Sequence, residues 1–379
     1  MSKYRITLTP VDKFFFGGEM TFQVGDKNDS FNTRYSSYII QSSRFPQQTS
    51  LLGMLRFLIL SNAGESVFAD NKIKDGDAAS ALIGSQSFTT NSAHNANTFG
   101  KIKSISRVRV LRGDVELEFA PLYGCVDFNP STNGTYNLGF LKIPQLKQYD
   151  AKKGLDILMM PKAEIDAYFN KFEDIGEKPN PTTKLSDIFI EDRRIGISRS
   201  ISSGKTDDGA LFKQISYRFN NKEANHCFVF DAEVDDFDNG DRLTKYSGQL
   251  VSVGGDNSQF MIGITACEAP LEEDVDDSLA ISLLSPAFLT REEVRSNTIF
   301  AITQLMSFCF LTDRKDNRND DDRSYHILNS KLKRSERYEL YAPGTVFYFE
   351  SNEKRKAFVK ALKKNDFCQI GYNEYKTIK

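Results

Sequence analysis

The ten residues Leu51-Leu52-Gly53-Met54-Leu55-Arg56-Phe57-Leu58-Ile59-Leu60 limit what this chain can fold into more than any other segment. They follow Phe45-Pro46-Gln47-Gln48-Thr49-Ser50 and read as a helix capped by Thr49 or Ser50 that ends near Gly64. The run is apolar on nearly every side, so the helix has to be buried, and a sheet is the natural cover. Strands for such a sheet are visible. Tyr4 to Thr9 alternates apolar and polar residues, as a half-buried strand does. Val108 to Phe119 reads as a hairpin turning at Gly113-Asp114, which places Val110 opposite Leu117 and Arg109 opposite Glu118. Strands and helices are mixed without regular alternation or internal repeat, which predicts an α+β architecture.

A chain of 379 residues exceeds one ordinary core, so two domains are expected, over 1–219 and 220–379. No apolar run reaches the ~18 residues that span a bilayer. Met1 to Arg5 lacks the apolar core of a signal peptide, so no membrane contact and a cytoplasmic location are expected. Five widely spaced cysteines with no C-x-x-C pair predict reduced thiols rather than a zinc knuckle or a disulfide framework. The net charge of −2 does not mark a nucleic-acid binder, so any such contact has to come from local basic patches.

Charge is distributed unevenly. Lys101, Lys103, Arg107 and Arg109 make one strand basic, and the carboxylates Glu116 and Glu118 on the returning strand predict cross-strand ion pairs there. The acidic runs 231–241 and 272–277 have no metal-loop spacing and read as solvated faces. Residues 312–324 mix both charges and read as a loop. Thr290-Arg291-Glu292-Glu293 is a capping box opening a helix. Lys354 to Lys364 reads as a basic helix with Ala357, Phe358, Ala361 and Leu362 on its apolar stripe.

A search for catalytic groups gives little. His94, His226 and His326 have no metal-ligand spacing to one another. His226 and Cys227 are neighbours on a strand and point to opposite faces, which excludes a nucleophile–base pair. Gly204-Lys205-Thr206 mimics the end of a Walker A motif but lacks its upstream glycine. No cofactor, metal or catalytic residue is predicted.

Several short segments, in order along the chain, resemble one known family. These are Pro10-Val11-Asp12 with the aromatics Phe14-Phe15-Phe16, then Ser43-Arg44-Phe45-Pro46 with Thr49, Leu52-Gly53 and Leu55-Arg56. Arg194-Ile195-Gly196-Ile197 with Asp208 to Phe212, Val253-Gly254-Gly255-Asp256, Leu284-Ser285-Pro286-Ala287 and Ala342 to Phe349 follow. Together they resemble the third subunit of the type III-B (Cmr) CRISPR effector, within the RAMP superfamily. The turn Ile370-Gly371-Tyr372-Asn373 departs from the glycine-rich loop that ends many RAMP proteins, and the insert 312–324 has no counterpart.

The resemblance implies two ferredoxin-like (RRM-like) modules with a protruding hairpin thumb over about 191–218. It also implies a non-catalytic role: holding the 5′ handle of the CRISPR RNA and contacting the large polymerase-type subunit and a backbone RAMP subunit. Three places fit that role. The first helix start, with Thr49, Ser50, Arg44 and more weakly Arg56, offers amides, hydroxyls and charge for a phosphate. The thumb carries Arg193, Arg194, Arg199, Lys205, Lys213 and Arg218 around a small polar tip. Gly254 and Gly255 permit a close backbone approach. Two other readings stand beside this one: a RAMP-fold endonuclease that processes CRISPR RNA, and a structural adaptor that touches no RNA.

Overall fold

The computed structural model describes residues 2–17, 20–24, 36–84, 98–122, 128–130, 136–138, 157–165, 182–199, 206–235, 243–256, 258–267, 279–309, 311–313, 332–335, 337–364 and 366–378. The fold is mixed α+β, and nearly all of its strand pairs are antiparallel.

The larger sheet is built around β1 (Ser2–Pro10). Its neighbours are not local in sequence. The strands labelled here in chain order are β2 (Met20–Val24), β3 (Ser36–Gln41), β4 (Arg109–Arg112), β5 (Val115–Phe119), β6 (Phe189–Arg199), β7 (Thr206–Phe219), β8 (His226–Val234), β9 (Leu250–Ser252) and β10 (Gln259–Ala266). Across the sheet the order is Thr183–Lys184, Leu158–Pro161, β5, β4, β8, β1, β10, β9. Alternation along β1 sends Tyr4, Ile6 and Leu8 to one face, where register places them beside Phe228, Phe230, Ile262 and Ile264. Helix α1 (Gln48–Ser61) packs on that face through Leu51, Leu52, Leu55, Leu58 and Ile59. Each fully buried side chain of this size contributes about 1.5–3 kcal/mol, which outweighs the helix's mixed local propensity. The helix buried against a sheet is thus as the sequence predicts, and so is the Val110–Leu117 register of the hairpin.

The long hairpin β6–β7 pairs from Phe189–Phe219 to Ile197–Leu211, with a register shift before Arg199–Thr206. It joins β3 and β2 in a second sheet of order β6-β7-β3-β2, in which β7 and β3 run parallel. Its base is rooted in the main core, where Phe14, Phe189, Phe219 and Phe228 pack ring against ring. The tip of the expected thumb from 200 to 205, Lys205 included, lies outside the described residues.

The C-terminal part contains β11 (Ala280–Leu283), α2 (Arg291–Asn297), β12 (Phe300–Ile302), β13 (Val346–Tyr348), α3 (Asn352–Leu362) and β14 (Tyr375–Ile378). Its sheet order is β12-β13-β11-β14, antiparallel throughout. The capping box at Thr290 and Glu293 forms as the sequence predicts. In α3 the buried positions are Arg355, Phe358 and Leu362, and Ala357 is exposed, so the stripe is rotated from the predicted one.

β8 and β10 lie beyond residue 219, yet they flank β1 at the centre of the main sheet, and the C-terminal sheet begins at Ala280. Two expectations need correction. The first is the cap of α1. Gln47 is the N-cap and makes no side-chain cap bond, while Thr49 and Ser50 lie inside the first turn. The second is the start of the acidic run at 231–241, of which residues 236–241 lie outside the described residues. Asp231 is not a solvated acid but part of an ionic network on the polar face of the main sheet. Arg109 reaches Asp231 at 2.6 Å and Glu116 at 3.2 Å, and Arg5 also pairs with both carboxylates. Burial raises the Asp231 carboxyl, but Arg109 and Arg5 outweigh it and hold the group below the usual range. Lys103 pairs with Asp235 at 2.7 Å. Arg107 binds Glu118 at 2.5 Å and, from the C-terminal part, Glu374 at 2.5 Å. The basic strand is therefore neutralised by ion pairs, as expected, although Glu118 serves Arg107 rather than Arg109. The run 272–277 and most of 312–324 lie outside the described residues.

Candidate nucleic-acid interface

A groove of about 1830 Å³ runs along the outer side of α1. It is lined by Ser42 and Ser43, by the α1 residues Thr49, Ser50, Gly53 and Phe57, and by β9 with Gly254 and Gly255. Residues 305–309, with Arg337 and Glu339, close the side toward the C-terminal part. Two of the three predicted places, the first turn of α1 and the Gly254-Gly255 turn, are thus brought to one groove.

The start of the helix packs against the far end of the chain. Gln48 Nε2 donates to Ser106 O at 3.0 Å and to Gly371 O at 3.1 Å. The Tyr372 hydroxyl, on a residue 2 % exposed, faces the Thr49 side chain and the amides of Gln48 and Thr49. Burial drives its pKa far up, so the phenol stays neutral beside the start of the helix, and its oxygen makes no hydrogen bond there. The Thr49 and Ser50 side chains line the groove.

The two flanking arginines differ. Arg44 lies over the Tyr217 ring at 5.2 Å, and its Nε is buried without a hydrogen bond. Arg56 is only 8 % exposed. It donates to Thr98 O at 3.0 Å and covers the Phe99 ring at 5.8 Å. Arg56 Nε is buried without a partner, and among the described residues no carboxylate pairs with this guanidinium. Burial lowers its pKa to about 10, so it stays charged at neutral pH. Arg56 lines the groove.

Gly254 has a reason of its own. Its φ is +89°, and a Cβ there would stand 2.5 Å from Phe15 O. The close approach is to the protein's own Phe15-Phe16 strand, so Gly254 is explained without a ligand. A Cβ at Gly255 would meet only ordinary contact at 3.5 Å.

The basic residues of the β6–β7 hairpin, where a thumb was expected, do not form one stripe. Arg193 pairs in register with Ile215 and shares a face with Lys213, whereas Arg194 and Arg218 are on the other face. Arg193 and Arg194 have side chains 63 % and 61 % exposed and contact Glu191 at 2.6 Å and Asp192 at 3.3 Å. Pairs this exposed are weak, so both guanidiniums are available to an outside anion. Lys213 and Arg218 have no ion pair among the described residues. The backbone of Arg199 pairs with Thr206. Gln214 bonds Asp256 at 3.0 Å, which ties the hairpin to the turn at the groove.

Sequence reasoning missed Tyr372, Gln48 and Phe57. The first two carry no local signal, because their partners are distant in sequence. Phe57 is hidden in the apolar run that marks the helix. Among the described residues no group of three or more His, Cys, Asp or Glu is placed to hold a metal ion, and no helix is long and apolar enough to cross a membrane.

The sequence profile of a protein family described as "CRISPR-associated protein (Cas_Cmr3)" matches residues 6–379. Among solved structures, a chain of the cryo-EM structure of "the Type III-B Cmr-beta bound to cognate target RNA" is similar. It shares 15 % identity over 99 % of this chain and 96 % of that one, with a TM-score of 0.49. A chain of the same complex with target RNA and AMPPnP, state 1, shares 14 % identity over 99 % of each chain, with a TM-score of 0.48. No curated protein matches the sequence. The profile covers nearly the whole length, so the chain belongs to the Cas_Cmr3 family of CRISPR-associated proteins, as a third subunit of the type III-B (Cmr) kind.

Proposed function

We propose that this chain is a non-catalytic subunit that holds the 5′ handle of the CRISPR RNA and bridges the large polymerase-type subunit to a backbone RAMP subunit. The observation that carries the reading is the groove along α1 with Arg56 at its wall. A buried guanidinium with no carboxylate among the described residues is costly unless an anion comes to it, and an RNA phosphate is such an anion. Thr49 and Ser50 add hydroxyls, and Gly255 leaves its part of the lining open. The exposed Arg193, Arg194 and Arg218, with Arg44, Arg199, Lys205 and Lys213, extend the contact along the RNA backbone beyond the groove.

Topology supports the ferredoxin-like reading. In order of appearance, β1, β4, β8 and β10 lie in the sheet as 4-1-3-2, with α1 after the first strand. β11, β12, β13 and β14 lie in the same order, with α2 after the first strand and α3 before the last. On this reading the modules divide between 267 and 279.

The reading is tested by UV crosslinking in the assembled complex, with photoreactive nucleotides placed along the CRISPR RNA. Crosslinks from the handle to residues of the groove and the hairpin are expected; absence of any crosslink from RNA to this chain refutes the proposal in favour of the adaptor reading. Site-specific cleavage of repeat RNA by the purified chain in EDTA refutes the non-catalytic part.

A further inference from the structure

We infer that Phe57 and Gly53 form a platform on which one unstacked base of a single-stranded RNA lies in the α1 groove. This rests on the RNA-binding reading above and adds a mode of recognition to it.

The first observation is Phe57. It is 52 % exposed and is the sole aromatic among the exposed large hydrophobics of the described residues. The Phe68 ring meets it edge to face at 5.8 Å, which holds the ring while leaving much of its surface in the groove. Every nucleobase has a π-face, so an anchored, exposed ring is a stacking site that tolerates any base.

The second observation is Gly53, one helical turn before Phe57 and on the same face. Glycine is the poorest helix former after proline, so one in a helix interior calls for a reason. The other tight glycines have one: Cβ atoms at Gly84, Gly100, Gly254, Gly344 and Gly371 would each run into backbone within 2.7 Å. At Gly53 a Cβ would meet nothing within 4 Å, and the backbone is not in the left-handed region. The fold does not require glycine there, and the bare backbone leaves room for a flat ligand that lies on Phe57 and extends over the preceding turn.

The third observation is Arg56, the residue before Phe57. It is more than nine-tenths buried, lines the groove, and keeps its Nε without a partner. A ligand that offers a planar ring to Phe57 and an anion to Arg56 is a nucleotide. The base has to be free of a duplex to lie flat on a side chain, which selects single-stranded RNA. The apolar Leu250 and Leu305, which also line the groove and are 56 % and 42 % exposed, suit the edge of a stacked base better than a phosphate.

The experiment uses the full chain and short single-stranded RNAs, each with one 2-aminopurine at a different position. Binding is followed by anisotropy, stacking by 2-aminopurine fluorescence, and folding by thermal melting. Wild type is expected to bind and to alter the fluorescence of one position strongly. Phe57→Ala and Gly53→Leu should each weaken binding by about 5- to 100-fold and abolish that signal. Gly53→Ala should raise the melting temperature, and Phe57→Tyr should keep the signal. If wild type binds but Phe57→Ala and Gly53→Leu bind equally well, the platform is refuted while the RNA-binding reading stands. If wild type binds no RNA, both fall. If Phe57→Ala leaves RNA affinity unchanged but impairs joining of the other subunits, the surface belongs to a protein partner and the inference is wrong.

Discussion

Replacing Gly371 by alanine should be among the most damaging single methyl additions to this protein, and the structure says why. Gly371 has φ +82°, so any L side chain there meets the left-handed penalty of about 1–2 kcal/mol. The new methyl would stand 2.1 Å from Gln48 Nε2, 2.6 Å from Ser106 C and 2.7 Å from Ser106 O. The Gln48 amide can swing aside, but the Ser106 backbone belongs to the segment that bonds Asp231 and cannot move alone. Relieving such overpacking costs about 1–3 kcal/mol. Displacing Gln48 also breaks its bonds to Ser106 O and Gly371 O, worth about 1 kcal/mol each. Together the loss is roughly 4–7 kcal/mol, a large part of the ~5–15 kcal/mol that holds a typical domain. Urea unfolding followed by far-UV circular dichroism measures it, since the chain has no Trp for fluorescence. Gly53→Ala is the internal control, with open space at the site and an expected gain of up to about 1 kcal/mol. A Gly371→Ala variant within about 1 kcal/mol of wild type would refute the argument that the C-terminal turn is wedged between α1 and Ser106.

Four shorter predictions follow from the same geometry. Gly254→Ala should destabilise by about 2–4 kcal/mol through the clash with Phe15 O, whereas Gly255→Ala should stay within about 1 kcal/mol in the same unfolding assay. Arg107→Met should cost about 3–5 kcal/mol, because it strands the carboxylates of Glu118 and Glu374; the double variant with Glu118→Gln should recover part of the loss in a double-mutant cycle. Asp231 has a lowered pKa in the folded state, so its contribution is present above the unfolded value of about 4 and is lost as pH falls through the folded one. Asp231→Asn should therefore be less stable than wild type at pH 7, and the difference should shrink below about pH 4 in melting curves across pH. Arg193→Ala with Arg194→Ala should flatten the salt dependence of RNA affinity without lowering the melting temperature, and an unchanged slope with equal affinity would count against a hairpin–RNA contact.

What could be read from the sequence was what nearby residues decide. Alternation in Tyr4 to Thr9, the all-round apolar run of α1, the Gly113-Asp114 turn and the Thr290–Glu293 box are local patterns, and each appears in the fold. The start of α1 was misread because its partners, Gly371 and Tyr372, come from the far end of the chain, with Gln48 and Gly371 separated by 323 positions. Sheet membership is not local either: β8 and β10 follow the hairpin in sequence, but their pairing with β1 returns them to the first sheet. Arg56 was legible as a charge in an apolar run, yet its burial and its lack of a carboxylate depend on Thr98 and Phe99 packing over it.

The glycines carry the same lesson further. The sequence alone does not say why Gly371, Gly254 and Gly53 are glycine. Asking what a Cβ would meet separates them. Gly371 is required by Gln48 and Ser106, and Gly254 by Phe15, so both serve the fold. Their substitution is expected to act through stability. Gly53 meets nothing, in a helix that alanine would stabilise. A position where the fold would do better with another residue is one where stability and binding should separate on mutation, and Gly53, beside Phe57 and Arg56, is where that separation is expected in this protein.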